Sequence, residues 1–210
     1  KPCITYIEND IYLVAYIESN ETISLKTFYI YPNATIVETG HQVFLDEKCA
    51  DPYLVNIRDT FVGLAYSLKN TGGSGKNDGI VRVLDITDSG QIDLVCNETF
   101  DNIGWFEPKL YMVYDSMLAL TYSVANEGFL STINISNLNS IEKDSGSFTI
   151  NSTECYDPFL VQVQDNLSAI FYSSDAGFVK TVFIDKDGSI TNTGHEIKIS
   201  QDVFDSPPHG

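Results

Sequence analysis

Long apolar runs and positive charge are scarce in this chain of 210 residues. No stretch approaches the roughly 18 consecutive apolar residues of a transmembrane helix, so the sequence predicts no membrane span. The chain has 12 Lys and Arg against 29 Asp and Glu, which gives a formal net charge of −17. Because nucleic-acid-binding proteins carry a basic face and anionic membranes attract basic segments, this balance argues against both partners.

Histidine is also rare, with only His41, His195 and His209 in the chain. A Ser-His-Asp arrangement therefore has little support. The four cysteines contain no Cys-x-x-Cys pair and have no histidine at ligand spacing, which excludes a zinc ribbon. The chain opens with Lys1 rather than Met, and no signal peptide is present, so we expect a processed start.

The sequence does contain one pattern that occurs four times. Each copy opens with a proline, has a turn-forming residue seven positions later and a tyrosine fourteen positions later. The copies are separated by steps of 50, 56 and 50 residues in all three series. The opening prolines are Pro2, Pro52, Pro108 and Pro158, the turn residues are Asn9, Asp59, Asp115 and Asp165, and the tyrosines are Tyr16, Tyr66, Tyr122 and Tyr172. Periods of this size indicate a stacked or radial repeat architecture.

Each copy is predicted to form four short β-strands. Runs rich in Val, Ile, Thr, Tyr and Phe alternate with Asn, Asp, Gly and Pro, and no window shows a sustained helical period. Asp88-Ser89-Gly90 and Asp187-Gly188 predict tight hairpins between the third and fourth strands. Copy two is longer because residues 69–76 form a predicted loop tip.

Four antiparallel strands in each unit of about 50 residues are typical of a β-propeller blade. The sequence therefore predicts an all-β fold, a β-propeller of four four-stranded blades that forms a single domain over residues 1–210. The predicted blades are 2–51, 52–107, 108–157 and 158–206. We expect the ring to close within this chain, although Ser206-Pro207-Pro208 resembles the opening of a fifth copy and keeps a larger ring open as an alternative. A β-sandwich has no reason to repeat its sequence at a fixed period.

The dispersed, even set of cysteines favours disulfides in an oxidising compartment. Cys49 and Cys155 are repeat-equivalent and would lie on opposite sides of a small ring, so we do not expect them to pair. The preferred pairing is Cys49–Cys96 with Cys3–Cys155. Three connectivities are possible, and free buried thiols are a further alternative.

Six sequons also favour an extracellular or cell-surface glycoprotein. Several lie on predicted turns or loop edges. Their acceptor residues are Asn20, Asn33, Asn97, Asn134, Asn151 and Asn166.

The candidate metal-binding residues are three carboxylates. Asp51, Glu107 and Asp157 each directly precede a blade-opening proline, so a ring would bring them near one end of the central channel. Converging oxygen ligands suit Ca²⁺, which makes these residues a candidate calcium site. The alternative is that each acidic residue favours the turn before proline and faces solvent.

No catalytic pair is evident. Glycosidases on propellers need two carboxylates across a cleft, and the pair should be unique rather than repeated. Glu127 and Glu142 have no counterpart in other copies, but nothing around them indicates catalysis. His41 and His195 occupy the same place in two repeats and are interpreted as structural. Trp105 and Phe106 are candidates for an exposed aromatic binding spot, with packing at a blade boundary as the alternative.

The repeat resembles the tandem blades of prokaryotic, especially archaeal, cell-surface β-propeller proteins. The resemblance rests on Pro158-Phe159-Leu160-Val161, on Ala65-Tyr66, on the strand from Gly177 to Ile184 and on Gly188-Ser189-Ile190. It implies a role in adhesion or envelope structure and carries over no active site.

From the residues and the resemblance together, the sequence predicts a non-enzymatic surface module for adhesion, envelope assembly or carbohydrate binding. Surface proteins or glycans are the expected partners, and self-association is considered. A secreted glycan-acting hydrolase is the alternative.

Overall fold

The computed structural model describes residues 1–44, 48–69, 78–100, 105–135 and 137–200, and leaves out the side chains of residues 44, 105, 106 and 143–146. These residues form sixteen β-strands in four antiparallel sheets. The described part of the chain contains no helix, and so none that could cross a membrane. The predicted loop within 69–76 falls almost wholly outside the described residues, as do His209 and the segment 206–208.

Each sheet is a meander in which neighbouring strands follow one another along the chain. We name the sheets blades one to four. Blade one consists of β1 (Cys3–Tyr6), β2 (Ile11–Ile17), β3 (Ile23–Ile30) and β4 (Ile36–Phe44). Blade two consists of β5 (Cys49–Arg58), β6 (Phe61–Leu68), β7 (Asp78–Ile86) and β8 (Ile92–Phe100). Blade three consists of β9 (Trp105–Tyr114), β10 (Met117–Val124), β11 (Glu127–Asn134) and β12 (Glu142–Asn151). Blade four consists of β13 (Tyr156–Gln164), β14 (Leu167–Ser173), β15 (Gly177–Ile184) and β16 (Ile190–Lys198).

The predicted turn residues have a physical role at the first hairpin of each blade. Asn9, Asp59 and Asp165 adopt φ values of 49°, 47° and 37°, in the left-handed region that Asn and Asp tolerate better than most side chains. These turns allow the second strand to pair antiparallel with the first. The four-stranded blade inferred from the sequence is therefore confirmed.

The blades pack face to face through three apolar clusters. The first joins blades one and two, the second joins blades two and three, and the third joins blades three and four. Strand periodicity explains this arrangement, because alternate side chains of one strand point to opposite faces of its blade. In the inner strand β5, for example, Leu54 packs towards blade one and Ile57 towards blade three. The fold is a β-propeller.

Ring closure within the chain, expected from the sequence, is not observed. None of the three clusters among the described residues joins blade four to blade one. Among the residues that the structure describes, each of these end blades packs against another blade on one side only, and large apolar side chains on its other face are exposed. The physical reason is that every blade repeats the same pattern, with apolar residues on both faces. This pattern specifies how neighbouring blades pack, but it does not specify how many blades close the ring.

Candidate functional site

A cavity of about 330 Å³ lies where the inner strands of all four blades begin. We call it the axial pocket. Each blade supplies residues next to its opening proline, which is why a repeated sequence builds one site around the axis. The pocket is lined by Lys1, Pro2, Cys3, Asp51, Pro52, Tyr53, Glu107, Pro108, Lys109 and Asp157.

The structure brings the three predicted carboxylates together at this pocket. Asp51, Glu107 and Asp157 have φ values of 52°, 53° and 53°, so all three adopt the same left-handed conformation. The pairing of each inner strand with its neighbour is interrupted at this point, as in a β-bulge. Such conformations are unfavourable for side chains other than Gly, Asn and Asp, and they concentrate at binding and catalytic sites.

Lys109 is the residue that organises one side of the pocket. Its ammonium forms an ion pair with the Asp157 carboxylate and lies 3.5 Å from the Pro158 carbonyl oxygen of blade four. Both partners of the ion pair are largely buried, with side-chain exposures of 13% and 16%. The Lys109 Nζ also lies 5.9 Å from the centre of the Phe159 ring, within cation–π range. Lys109 therefore ties blade three to blade four beside the axis.

Glu107 is placed differently from Asp157. Burial raises the pKa of its carboxyl above the ordinary value, and the nearby Asp157 charge raises it further. Lys1 partly opposes this shift, with its ammonium 3.9 Å from the Glu107 carboxylate. One carboxyl of the pocket thus keeps its proton more readily, while its neighbour is held in an ion pair.

Aromatic rings extend from the pocket along the inner strands. The Tyr53 ring lines the pocket and lies 6.1 Å from Tyr111, which lies 6.0 Å from Phe159. Burial raises the pKa of the Tyr53 and Tyr111 phenols, so both stay neutral at physiological pH. The pocket consequently combines an apolar wall with charged groups of both signs.

The calcium hypothesis receives no geometric support. No three carboxylate, imidazole or thiolate side chains within the described ranges come close enough to hold one metal ion. Lys109 occupies the Asp157 carboxylate, which removes one of the three predicted ligands. The sequence argument considered the residue before each proline and did not consider Lys109, which follows one of them.

The predicted disulfides are not formed. Cys3, Cys96 and Cys155 are free thiols, so neither Cys49–Cys96 nor Cys3–Cys155 exists in the structure. Cys49 packs in the cluster of blades one and two, whereas Cys96 packs against the cluster of blades two and three. Cys3 and Cys155 likewise belong to different clusters. Burial raises the pKa of the Cys3 thiol to about 11 and that of Cys155 to about 12, which favours the protonated thiol over the nucleophilic thiolate at physiological pH.

The six sequons fall into two groups by accessibility. Asn20, Asn33 and Asn97 are exposed, whereas Asn134, Asn151 and Asn166 are half-buried. The Asn166 amide already donates a hydrogen bond of 2.8 Å to the Asp185 carboxylate, so a glycan there would break an existing contact. Occupancy at all six remains a prediction.

Other candidates from the sequence lie away from the pocket. Glu127 starts β11, while Glu142 pairs with Asn134 at the far end of the same strand, so these two do not meet. The His41 ring forms a 2.8 Å hydrogen bond with Ser24 across blade one, and His195 is exposed on β16. The side chains of Trp105 and Phe106 are outside the described set.

Sequence reasoning missed Lys109 and Tyr53. Both directly follow an opening proline, at the position that is Cys3 in blade one and Phe159 in blade four. Variation at a fixed position within otherwise similar repeats was the available signal, because a position that differs between blades is free to specialise for a ligand.

Comparison with known proteins gives neighbours for the fold only. Neither a family model nor a curated protein sequence matches the chain. A protein from Lactobacillus plantarum is similar in structure at 10% identity, with a TM-score of 0.46 over 91% of this chain and 69% of that one. A Bacteroides fragilis protein provisionally described as a 6-phosphogluconolactonase has 11% identity and a TM-score of 0.46, over 95% and 81%. An exo-1,5-alpha-L-arabinanase from a bovine ruminal metagenomic library has 11% identity and a TM-score of 0.47, over 95% and 77%.

These similarities correct one prediction. The sequence predicted a protein that is not an enzyme, and that exclusion is wrong, because two structures with this kind of fold are named as enzymes. At 10–11% identity and TM-scores below 0.5, the likeness assigns no activity to this chain. It also gives no support to the archaeal cell-surface resemblance beyond the repeated blades themselves.

Proposed function

We propose that the axial pocket binds a neutral, hydroxyl-rich ligand, namely a sugar residue of a glycan, on an extracellular β-propeller. The observation that carries this proposal is the mixed lining of the pocket: Asp51, Glu107 and Asp157 with Lys1 and Lys109 around the Tyr53 ring. Sugars present hydroxyl groups that donate to carboxylates and accept from ammonium groups, and their C–H faces pack on aromatic rings.

The charge balance of the pocket supports a neutral ligand over an ionic one. Its lining has three carboxylates and two lysine ammoniums. An anion would meet the excess of carboxylates, and a cation would compete with Lys109 for Asp157. The cavity of about 330 Å³ falls at the lower end of the range for small-molecule sites, which is roughly 300–1,000 Å³. This size suits one sugar ring rather than an extended chain.

The extracellular setting is part of the proposal. It is supported by six sequons and by the resemblance to prokaryotic cell-surface blades. Adhesion to surface glycans or assembly of an envelope would be the role of such a module. Expression in a secreting host, followed by peptide mass mapping, tests this part: glycans on Asn20, Asn33 or Asn97 are expected, and unmodified peptides at all three would contradict glycosylation.

A glycan array, followed by calorimetric titration with the sugars that bind, tests the binding site. We expect Glu107→Gln to weaken binding at least several-fold, because the glutamine loses the charge that a sugar hydroxyl would donate to. Glu98→Gln is the matched control, since Glu98 is exposed on the outer strand β8. Equal weakening by both substitutions, or binding unaffected by Glu107→Gln, would contradict a ligand in the axial pocket.

Glycan hydrolysis is a second candidate, and one specific observation favours it. Glu107 keeps its proton more readily because of burial and its acidic neighbour, while Asp157 is ion-paired. Two carboxyl groups in unlike environments can divide the roles of general acid and of nucleophile or base. A hydrolysis screen distinguishes the candidates: turnover by the unmodified protein that is lost in Glu107→Gln and kept in Glu98→Gln supports hydrolysis, whereas binding without turnover in the unmodified protein supports recognition alone.

A further inference from the structure

The two end faces of the four-blade array are apolar surfaces without a neighbouring blade. We define the leading face as the side of blade one that points away from blade two, and the trailing face as the side of blade four that points away from blade three. Most of the large apolar side chains that are exposed in the described chain lie on these two faces. They are Ile4, Tyr6 and Ile36 on the leading face, and Val161, Val163, Phe183 and Ile197 on the trailing face.

The leading face repeats a surface that is buried at every other junction. Two residues after its opening proline, each blade has an aliphatic side chain that points to the preceding blade. Leu54, Leu110 and Leu160 are 7%, 1% and 2% exposed, whereas Ile4 is 60% exposed. The fourteenth residue after each proline behaves the same way: Tyr66, Tyr122 and Tyr172 are buried, and Tyr16 is half-buried. Blade one thus has the surface of a blade that follows another blade.

The trailing face shows the converse. Five residues after its proline, each blade has an aliphatic residue that points to the following blade. Ile7, Ile57 and Val113 are 4%, 7% and 6% exposed, whereas Val163 is 56% exposed. Blade four thus has the surface of a blade that precedes another blade.

A recurring hydrogen bond also lacks its partner at the two ends. On the third strand of blade one, the Thr27 hydroxyl donates 2.6 Å to the Gly90 carbonyl oxygen in the hairpin of blade two. Thr132 of blade three donates 2.8 Å to the Gly188 carbonyl oxygen of blade four. Thr181 is the equivalent residue of blade four, and its hydroxyl bonds to the Thr193 hydroxyl 2.5 Å away, as Thr27 does to Thr39 in blade one. Ala34 is the equivalent hairpin residue of blade one, and its φ of 66° matches the left-handed conformation of Gly90 and Gly188.

Close backbone packing gives a further independent indication. Blades one and four share the sequence Thr-Gly-His on their outer strands. A side chain on Gly40 would overlap the Gly90 carbonyl oxygen of blade two, so glycine is required where the next hairpin arrives. A side chain on Gly194 would meet nothing within 4 Å. Blade four therefore has open space on this side, although the φ of 77° is a separate reason for glycine at position 194.

We propose that a second copy of this chain covers both faces, with the trailing face of each copy packed on the leading face of the other. Blade one of the partner has what the trailing face needs: an aliphatic at position two after the proline, a half-buried tyrosine, and a left-handed hairpin carbonyl for Thr181. Because both copies gain the same junction, a two-fold axis closes an eight-bladed ring with no exposed blade face. The junction continues the blade-to-blade interface that already occurs three times within the chain.

The charges of the two faces permit this contact. The defining apolar residues of the trailing face, together with Thr181 and Gly194, include no charged side chain. The leading face has Lys26 and Glu38, which neutralise one another through a 2.9 Å ion pair. Glu18 also acts on Lys26 and helps to raise the pKa of its ammonium, so one further carboxylate lies near this ion pair.

The mass of the protein in solution tests the proposal, measured by light scattering and sedimentation over a concentration series. We expect a species of twice 23.3 kDa. Val163→Asp and Ile4→Asp should each convert it to the single chain, because each places a charge in the proposed junction. Both positions are exposed within one copy, so the fold should survive, as checked by circular dichroism. Leu94→Asp is the matched control, since Leu94 is 47% exposed but lies on β8, away from both faces.

Each outcome of these measurements either supports or contradicts the proposed dimer. A dimer that is lost in Val163→Asp and Ile4→Asp and kept in Leu94→Asp supports the proposal. A single chain at every concentration, a dimer unaffected by both face substitutions, or an open series of larger species would each overturn the closed pair. Sugar binding by the axial pocket does not enter these measurements, so they can fail while the proposed function holds, and the reverse.

Discussion

Lys109 connects two blades at the axis through a single side chain. Its ammonium is held by the Asp157 carboxylate and lies near the carbonyl oxygens of Asp157 and Pro158, and all of this takes place in a largely desolvated position. Removing one partner of such a pair leaves the other as an uncompensated charge with little water around it.

Lys109→Met should therefore lower the free energy of unfolding by about 3 kcal/mol, the lower end for broken buried ion pairs because this pair keeps some solvent contact. Lys198→Met is the matched control, because Lys198 pairs with an Asp175 that is 72% exposed. Its loss should change stability by no more than about 0.5 kcal/mol. Urea titrations of both variants give the comparison, and similar losses would show that Lys109 is no more than a surface charge.

Glu107 should contribute to the pH dependence of the free energy of unfolding. Its folded-state pKa is raised above the ordinary value of 4.5, so the folded protein holds this proton more tightly than the unfolded chain does. The corresponding stability is fully present below 4.5 and is lost as the pH rises through the folded pKa. Glu107→Gln should remove this contribution, which appears in the difference between the stability curves of variant and unmodified protein.

Glu21 provides a control of opposite sign. Lys69 and Lys48 lower the pKa of its carboxyl, so its contribution is present above the ordinary pKa and is lost as the pH falls through the lower folded value. Glu21→Gln should thus alter the curve at more acidic pH and in the other direction. Identical difference curves for the two variants would contradict the environment described for Glu107.

At the scale of the blade, the repeated tyrosine distinguishes inner junctions from the open end. Tyr66 is fully buried between blades one and two, where its hydroxyl accepts a 2.8 Å hydrogen bond from Arg82. Tyr66→Ala should cost about 3–5 kcal/mol of stability, as is usual for large aromatic deletions in a core.

Tyr16→Ala should cost clearly less in the single chain, because Tyr16 is only half-buried. The repeat alone would give all four tyrosines the same environment and hence the same cost, because it does not distinguish end blades from inner ones. Thermal unfolding of both variants decides between these views, with Tyr16→Ala measured on a monomeric Val163→Asp background. Equal losses would mean that Tyr16 is covered even without a second copy.

The glycines of the outer strands form a second matched pair. Gly40→Ala inserts a methyl group against the backbone of the neighbouring hairpin and should destabilise the chain by about 1–3 kcal/mol. Gly194→Ala meets no atom but must hold a φ of 77°, which costs about 1 kcal/mol. Urea unfolding of the monomer isolates these terms. A Gly40→Ala protein as stable as the unmodified chain would show that the hairpin moves aside freely.

The sequence predicted individual blades better than it predicted contacts between them. Proline, turn residue and tyrosine at fixed offsets specify local pairing, because β-strands of one blade are joined by short hairpins. The disulfides and the closed ring depended on distances between blades, and no local pattern encodes those distances. At the axis, the three carboxylates were found by repeat equivalence. Lys109 was not, because its role comes from one blade differing from the others.

For the molecule as a whole, uncovered apolar surface favours association of two copies, whereas net charge opposes it. Each of the four blades buries apolar surface against its neighbours, yet two faces remain uncovered in the single chain. Exposed sheet faces of this kind mark interaction sites when they are contiguous. A net charge of −17 keeps such a chain soluble but opposes the approach of a second copy.

Salt should therefore strengthen the association of two copies. The proposed junction is apolar, and its one ion pair, Lys26 with Glu38, lies within a single chain, so screening removes little attraction. The repulsion between two chains acts over longer distances and is screened with a Debye length of about 8 Å at physiological ionic strength and about 3 Å at 1 M. Sedimentation equilibrium over that range should show a falling dissociation constant, while Val163→Asp stays monomeric throughout. A dissociation constant that rises with salt would mean that ion pairs between the copies hold them together, which the two apolar faces cannot explain.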